Sequence, residues 1–147
     1  MNNSELEKLL RKEIPLSQAM GVRDFNFLNN EMTLLLPLAP NVNHKGTLFG
    51  GSLYSASALS CYGLFLSGLR ENGVNTNNIV ISEGHMKYFK PVEADALVTA
   101  RWNTLEEKDK FFHGLLAKKK ARVTMTAMTS VNAITCAQFT SSFVAWL

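Results

Sequence analysis

Between Lys45 and Arg70 the chain carries no charged side chain. A run this long that is apolar on nearly every side cannot rest on a water-facing surface, so it must be enclosed by protein or by lipid. Five serines (Ser52, Ser55, Ser57, Ser60, Ser67) and four glycines (Gly50, Gly51, Gly63, Gly68) interrupt it. They lower its apolarity below what a membrane span needs, and the composition suits a helix enclosed within a protein. The Gly50-Gly51-Ser52 run starts that helix and Asn72-Gly73 ends it, because a residue at this end adopts the left-handed conformation. The result is a helix of about 20 residues, roughly 30 Å long.

The flanking pattern supplies the enclosure. A capping-box spacing from Ser4 to Glu7 and an apolar stripe of Leu6, Leu9, Leu10 and Ile14 predict a short helix over residues 4–14, stopped by Pro15. Residues 19–28 and 31–38 read as strands joined through Asn29-Asn30, which is good hairpin chemistry. Residues 39–47 are polar and punctuated by Pro40 and Gly46, a loop feeding the long helix. Beyond it, residues 79–89, 94–102, 122–131 and 134–146 are rich in β-branched and aromatic side chains and predict four more strands. The charged run at 103–120 reads as a surface loop with room for one short helical turn. The order predicts an α+β fold in which a curved antiparallel β-sheet wraps a long central helix. At 147 residues this is one domain spanning 1–147. Such a sheet leaves an edge strand open, so a homodimer or homotetramer is expected.

Composition narrows the function classes. Apolar residues make up 46% and charged residues 18%, a globular balance and not that of a disordered chain. A net charge of +3 without interleaved basic and aromatic clusters gives no reason to expect nucleic acid. Cys61 and Cys136 match no metal-ligand spacing, so no metal is expected, and free thiols point to a reducing, cytoplasmic location. The opening MNNSELEKLLRKEIP has no apolar signal core and no transit-peptide character.

Two motifs carry a resemblance. Residues 39–54 read APNVNHKGTLFGGSLY and residues 83–92 read EGHMKYFKPV. Together they resemble the thioesterase family defined by the C-terminal domain of YiiD-type proteins, most clearly over residues 37–102. The resemblance implies a hotdog fold, acyl-CoA or acyl-carrier-protein thioesters as substrates, no cofactor beyond the coenzyme A of the substrate, and subunit-interface sites in dimers or tetramers. In related proteins this domain can follow an acetyltransferase domain, for which this chain has no room. Many better-known members open the helix with His-Gly-Gly and carry an Asp or Glu two turns in. Here Phe49 replaces the His and Ala58 occupies the carboxylate position, so their mechanism does not transfer.

Thioester hydrolysis needs donors for the carbonyl oxygen and a base for water. Backbone N–H groups at Gly50, Gly51 and Ser52 supply the first at the positive end of the helix dipole, unless the glycines only let the helix pack tightly. With strand alternation, Glu83, His85 and Lys87 share a face with Ile79 and Ile81. Glu83 in an apolar setting becomes a usable base with His85 as its partner, while on a wet face it only pairs with a lysine. Asn43 can orient the carbonyl or the water and Asn41 the substrate, or both only form turns. Phe49 and Ser57 complete the expected substrate contacts, though a buried helical serine often only bonds back to a carbonyl. Cys61 has no His or carboxylate within one helical turn and reads as inert. The basic run Lys118, Lys119, Lys120 and Arg122 meets CoA phosphates or the acidic face of a carrier protein, or simply solvent. Three functions stay open at this level: thioester hydrolysis, non-catalytic acyl-thioester sensing, and hydration or dehydration chemistry. The last lacks a His paired with a carboxylate across the fold.

Overall fold

Asn2, not Ser4, starts the first helix: its side chain accepts from the Glu5 N–H while the Glu5 carboxylate accepts from the Asn2 N–H. The capping box is therefore real but sits two residues earlier than the Ser4–Glu7 spacing predicts. The computed structural model describes residues 1–147 and begins with this helix, α1 (Asn3–Glu13), which buries Leu6 and Leu10. α1 stops before Pro15 as expected, but a second helix begins there. The fixed φ of proline suits a new first turn, and α2 (Leu16–Met20) follows, closed by Gly21 at φ +67°. Residues 19 and 20 thus belong to a helix that buries Ser17 and Met20, and the first strand starts later than its sequence pattern indicates.

β1 (Arg23–Leu28) and β2 (Glu31–Leu36) form the expected hairpin, with Asn29 and Asn30 both at positive φ as a type I′ turn requires. A 3-10 turn (Ala39–Asn41) leads to α3 (Gly50–Glu71), the charge-poor helix. Then come β3 (Ile79–Tyr88), β4 (Ala96–Trp102), α4 (Leu105–Lys118), β5 (Lys120–Val131) and β6 (Ile134–Trp146). All six strands join one antiparallel sheet in the order β1-β2-β4-β5-β6-β3, so β1 and β3 are its edges.

α4 corrects the expected loop at 103–120. Its helix signals are local: Thr104 accepts from the Glu107 N–H as N-cap, Glu106 and Glu107 fall in the first turn, and Lys118 in the last. Phe111, Phe112 and Leu115 form a buried face within the charged background. The Phe111 ring lies 5.1 Å from Phe65 of α3, and Phe112 lies 6.0 Å from Trp102 of β4. α4 therefore closes the core at the carboxyl end of α3. Gly68 permits this, since a Cβ there would sit 2.8 Å from the Trp102 ring and 3.1 Å from Phe112.

The concave face of the sheet holds α3. Leu64, Phe65 and Leu69 are fully buried, each stabilising by about 1.5–3 kcal/mol relative to exposure. The serines on the helix are accommodated in different ways: Ser60 donates to the Met32 carbonyl at 3.0 Å, while the Ser57 hydroxyl is buried with no protein partner. No helix is long and apolar enough to cross a membrane.

Candidate functional site

The amino end of α3 is held by three backbone contacts. Phe49 N–H donates to the Asn41 carbonyl at 2.8 Å, Leu48 N–H to the Val92 carbonyl at 2.9 Å, and Val42 bridges to Leu48. Ser52 and Leu53 both donate their N–H to the Phe49 carbonyl, at 3.0 and 3.1 Å. The N–H groups of Gly50 and Gly51 have no protein acceptor, and Phe49 as N-cap offers no side-chain oxygen. Two bare amides thus stand at the positive end of a 22-residue helix. Ser52, expected beside them, has its amide engaged.

Two aromatic rings flank these amides. The Tyr88 hydroxyl donates to the Gly50 carbonyl at 2.9 Å, and a Cβ on Gly50 would touch that hydroxyl at 3.4 Å and the Tyr88 ring at 3.5 Å. The Phe49 ring lies against Gly51 so closely that a Cβ there would run into it. Phe49 and Tyr88 are both about half exposed, at 56% and 53%. Tyr88 has its phenol held above the ordinary range by partial burial and by Tyr54.

The two loop asparagines are engaged within the chain. Asn41 is buried, and its amide donates to the Met20 and Pro37 carbonyls, both at 2.8 Å. The Asn43 amide donates to the Thr47 hydroxyl at 2.8 Å, and its carbonyl accepts from the Lys45 and Thr47 N–H groups. Asn41 therefore ties α2 to the loop, and Asn43 shapes the turn before the helix.

Gly51, Tyr54, Ser55, Ala58 and Tyr62 recur at helical spacing and lie along one stripe of α3. From Tyr54 onward this stripe is one wall of a cleft of about 480 Å³, within the range of small-molecule sites. Ile79, Ile81 and Phe143 form the sheet wall, and Glu13, Ile14, Leu16 and Met20 form the end covered by α1 and α2. Ala58 is in that wall, so the position that the resemblance matches to a helix carboxylate presents a methyl group to the cleft. Ser57 is fully buried and takes no part in it. Tyr62 has its phenol pushed up by partial burial and then by the Glu13 charge, with Arg70 opposing.

The strand expected to face this cleft is interrupted. Ile81 pairs with Phe143 and Glu83 with Ser142, leaving Ser82 as the extra residue of a β-bulge. The alternation therefore inverts. Ile79 and Ile81 face α3, as do Gly84 and Met86 beyond the bulge, while Glu83, His85 and Lys87 turn to the outer face of the sheet. The shared face predicted for Glu83 and His85 with Ile79 and Ile81 does not form. The Glu83 side chain is 73% exposed and pairs with Arg122 at 3.3 Å. It shares a shallow polar depression with His85, Thr140 and Ser142.

The basic run sits far from the bare amides. Lys120 pairs with Trp146, whereas Tyr88, beside Gly50, pairs with Ala137 nine residues back along β6, about 30 Å away. Cys61 is fully buried, and burial pushes its thiol up to about 12, with a Ser141 hydrogen bond acting the other way. It has no nucleophilic character at neutral pH. No group of three or more His, Cys, Asp or Glu side chains is arranged to hold a metal ion.

Sequence reasoning missed two site residues. Glu13 is the one carboxylate in the cleft, brought there because α1 ends over α3. Nothing in its spacing links it to Tyr62. Tyr88 was visible only as the end of a strand.

A curved six-stranded antiparallel sheet holding one long helix is the hotdog fold, shared with structurally characterised thioesterase-like proteins. The chain belongs to the family described as "Putative thioesterase (yiiD_Cterm)", whose model matches residues 3–147. A crystal structure from Shewanella oneidensis, described as a putative thioesterase, is similar at 26% identity. It aligns over 99% of this chain and 97% of that one with a TM-score of 0.84. A Chlorobaculum tepidum protein of unknown function is 28% identical over 98% of this chain and 93% of that one, with a TM-score of 0.89. A Pseudomonas aeruginosa structure described as a probable thioesterase shares the fold at 19% identity, a TM-score of 0.82, and 99% and 96% coverage.

Proposed function

We propose that this chain hydrolyses acyl thioesters carried on coenzyme A or an acyl-carrier protein. The observation that supports the reading is that the bare amides of Gly50 and Gly51 lie one helical turn before Tyr54 and Ser55, the first residues of α3 to line the apolar cleft. A thioester carbonyl placed at those amides directs its acyl chain past Tyr54, Ser55 and Ala58. Water adds to the carbonyl carbon, the amides hold the resulting oxyanion, and the carbon–sulfur bond breaks as the proton lost by the water passes to the departing sulfur, leaving the carboxylic acid and the thiol. The hydroxyls of Tyr54 and Ser55 in the cleft wall and of Tyr88 beside Gly50 orient the water in this reading.

The cleft is open on the side of β3, whose second edge is unpaired. Val80, Ile81, Tyr88 and Phe89 are all exposed along it. A second copy adding its own strand there would close the cleft and satisfy the free backbone groups, so the working form in this reading is a homodimer, or a homotetramer built from it.

A non-catalytic acyl-thioester binder is the second reading, favoured by Ala58 and by the outward turn of Glu83 and His85. Thiol release from a panel of acyl-CoAs decides between the two. Turnover supports hydrolysis, tight binding without thiol release selects the binder, and neither binding nor release overturns both.

A further inference from the structure

The two ends of the cleft differ in chemistry. Toward the amino end of α3 the walls include the Tyr54 ring and the small Ser55, whereas the far end carries the Glu13 carboxylate beside the Tyr62 phenol. Between them, Ala58, Leu59, Ile79, Ile81 and Phe143 present hydrocarbon alone. Glu13 is exposed and so its carboxyl group remains hydrated. An alkyl chain growing along the cleft gains by burying methylenes until it reaches that carboxylate. There a further methylene would displace water from a charge and gives no return.

We propose that Glu13 and Tyr62 set an upper limit on acyl length, making the cleft a site for medium-chain acyl groups. This rests on the thioester reading above. Eleven residues of helix separate Gly51 from Tyr62 and eight separate Tyr54 from Tyr62. At helical rise these are about 16 and 12 Å, and an extended alkyl chain advances about 1.3 Å per carbon–carbon bond, so the run accommodates roughly 9–13 carbons. A branched or aromatic acyl group would fill the width beside Ala58 but leave the distal half empty. Ala58 matters because its small side chain keeps the middle of the run open.

The test is the chain-length profile of purified full-length protein with butanoyl-, octanoyl-, dodecanoyl- and octadecanoyl-CoA. The expected kcat/KM peaks at dodecanoyl and falls about tenfold at either extreme. Glu13→Leu raises the octadecanoyl-to-dodecanoyl ratio about tenfold by replacing the charged end with hydrocarbon. Ala58→Leu moves the optimum to octanoyl or shorter. Circular dichroism confirms that each variant folds. A flat profile, an optimum at butanoyl, or an octadecanoyl ratio indifferent to Glu13→Leu overturns the inference.

If no thioester is turned over, the hydrolysis reading fails by itself. The length limit is then read from calorimetric binding of the matching non-hydrolysable thioether analogues. A dodecanoyl optimum that Glu13→Leu lengthens upholds it, and binding without length preference, or no binding, overturns it.

Discussion

Ile81 and Glu83 lie two positions apart on β3 and point to opposite faces of the sheet, because Ser82 bulges between them. Ile81 lines the cleft while Glu83 reaches Arg122 on the outside. A pair this exposed contributes little to stability. Glu83→Gln combined with His85→Ala is therefore expected to leave thioester turnover within about threefold of the unaltered chain and stability within about 0.5 kcal/mol. Steady-state kinetics and urea unfolding check both. A loss beyond about a hundredfold would mean that a second copy carries this outer face to the reacting carbon.

Gly84, just past the bulge, faces Tyr54 of α3. A Cβ there would collide with the Tyr54 hydroxyl and lie 2.9 Å from its ring and 3.1 Å from Phe139. The Tyr54 ring also meets Phe139 edge-on at 4.8 Å, so it has little room to retreat. Gly84→Ala is expected to cost about 1–3 kcal/mol by overpacking. In a Tyr54→Leu background the same change costs less, with a coupling of about 1 kcal/mol in a double-mutant cycle by urea denaturation. Strict additivity would remove this contact from the packing of α3 on β3.

Much of the fold was legible because it rests on local signals. The charge-free run between Lys45 and Arg70, the Asn29-Asn30 turn and the β-branched runs each specify an element without reference to the rest. α4 carries local signals as well, in Thr104, Glu107 and the Phe111, Phe112 and Leu115 face, but its high charge masks the apolar face and the run reads as a loop. The site was less readable for a different reason. The bulge at Ser82 is set by pairing with β6, and a one-residue slip reverses every later side chain on the strand. Glu13 reaches the cleft only through the docking of α1 and α2 on α3. Asn41 and Asn43 have side chains suited equally to catalysis and to turns, and only their partners show that they hold the loop.

Cys61 predicts an alkaline loss of stability. Its thiol ionises near the ordinary value of 9.0 when unfolded and at about 12 when folded. Between those values the unfolded chain has released a proton that the folded chain keeps, so rising pH favours unfolding. The contribution is fully present below about pH 9 and is lost progressively towards 12, by at most about 4 kcal/mol. The raised phenols of Tyr62 and Tyr88 act in the same direction above their ordinary value of 10.0. Urea midpoints between pH 8 and 11 should fall for the unaltered chain and fall less for Cys61→Ala, although that variant starts lower because it leaves a small cavity. Identical slopes would show that Cys61 ionises without unfolding.

The sharpest test of the helix amides uses proline. Gly50 is the first residue of α3, where proline's fixed φ is compatible with the helix and its missing N–H breaks no bond, since the Gly50 N–H has no protein acceptor. Phe49, at φ −61° and ψ 133°, already has the extended conformation that a residue before proline requires. The added Cβ meets the Tyr88 hydroxyl at 3.4 Å and its ring at 3.5 Å, which is ordinary contact. Gly50→Pro should thus fold with stability unchanged to within about 1 kcal/mol, yet lower kcat for thioester hydrolysis by about 10²–10³ if that N–H holds the oxyanion. Gly50→Ala adds the same first carbon but keeps the N–H, and should fall far less. Because the two variants differ chiefly in a single donor, their ratio of kcat isolates the amide from the packing around it. Equal rates would place the oxyanion elsewhere, with Gly51 as the remaining bare amide at this end of the helix.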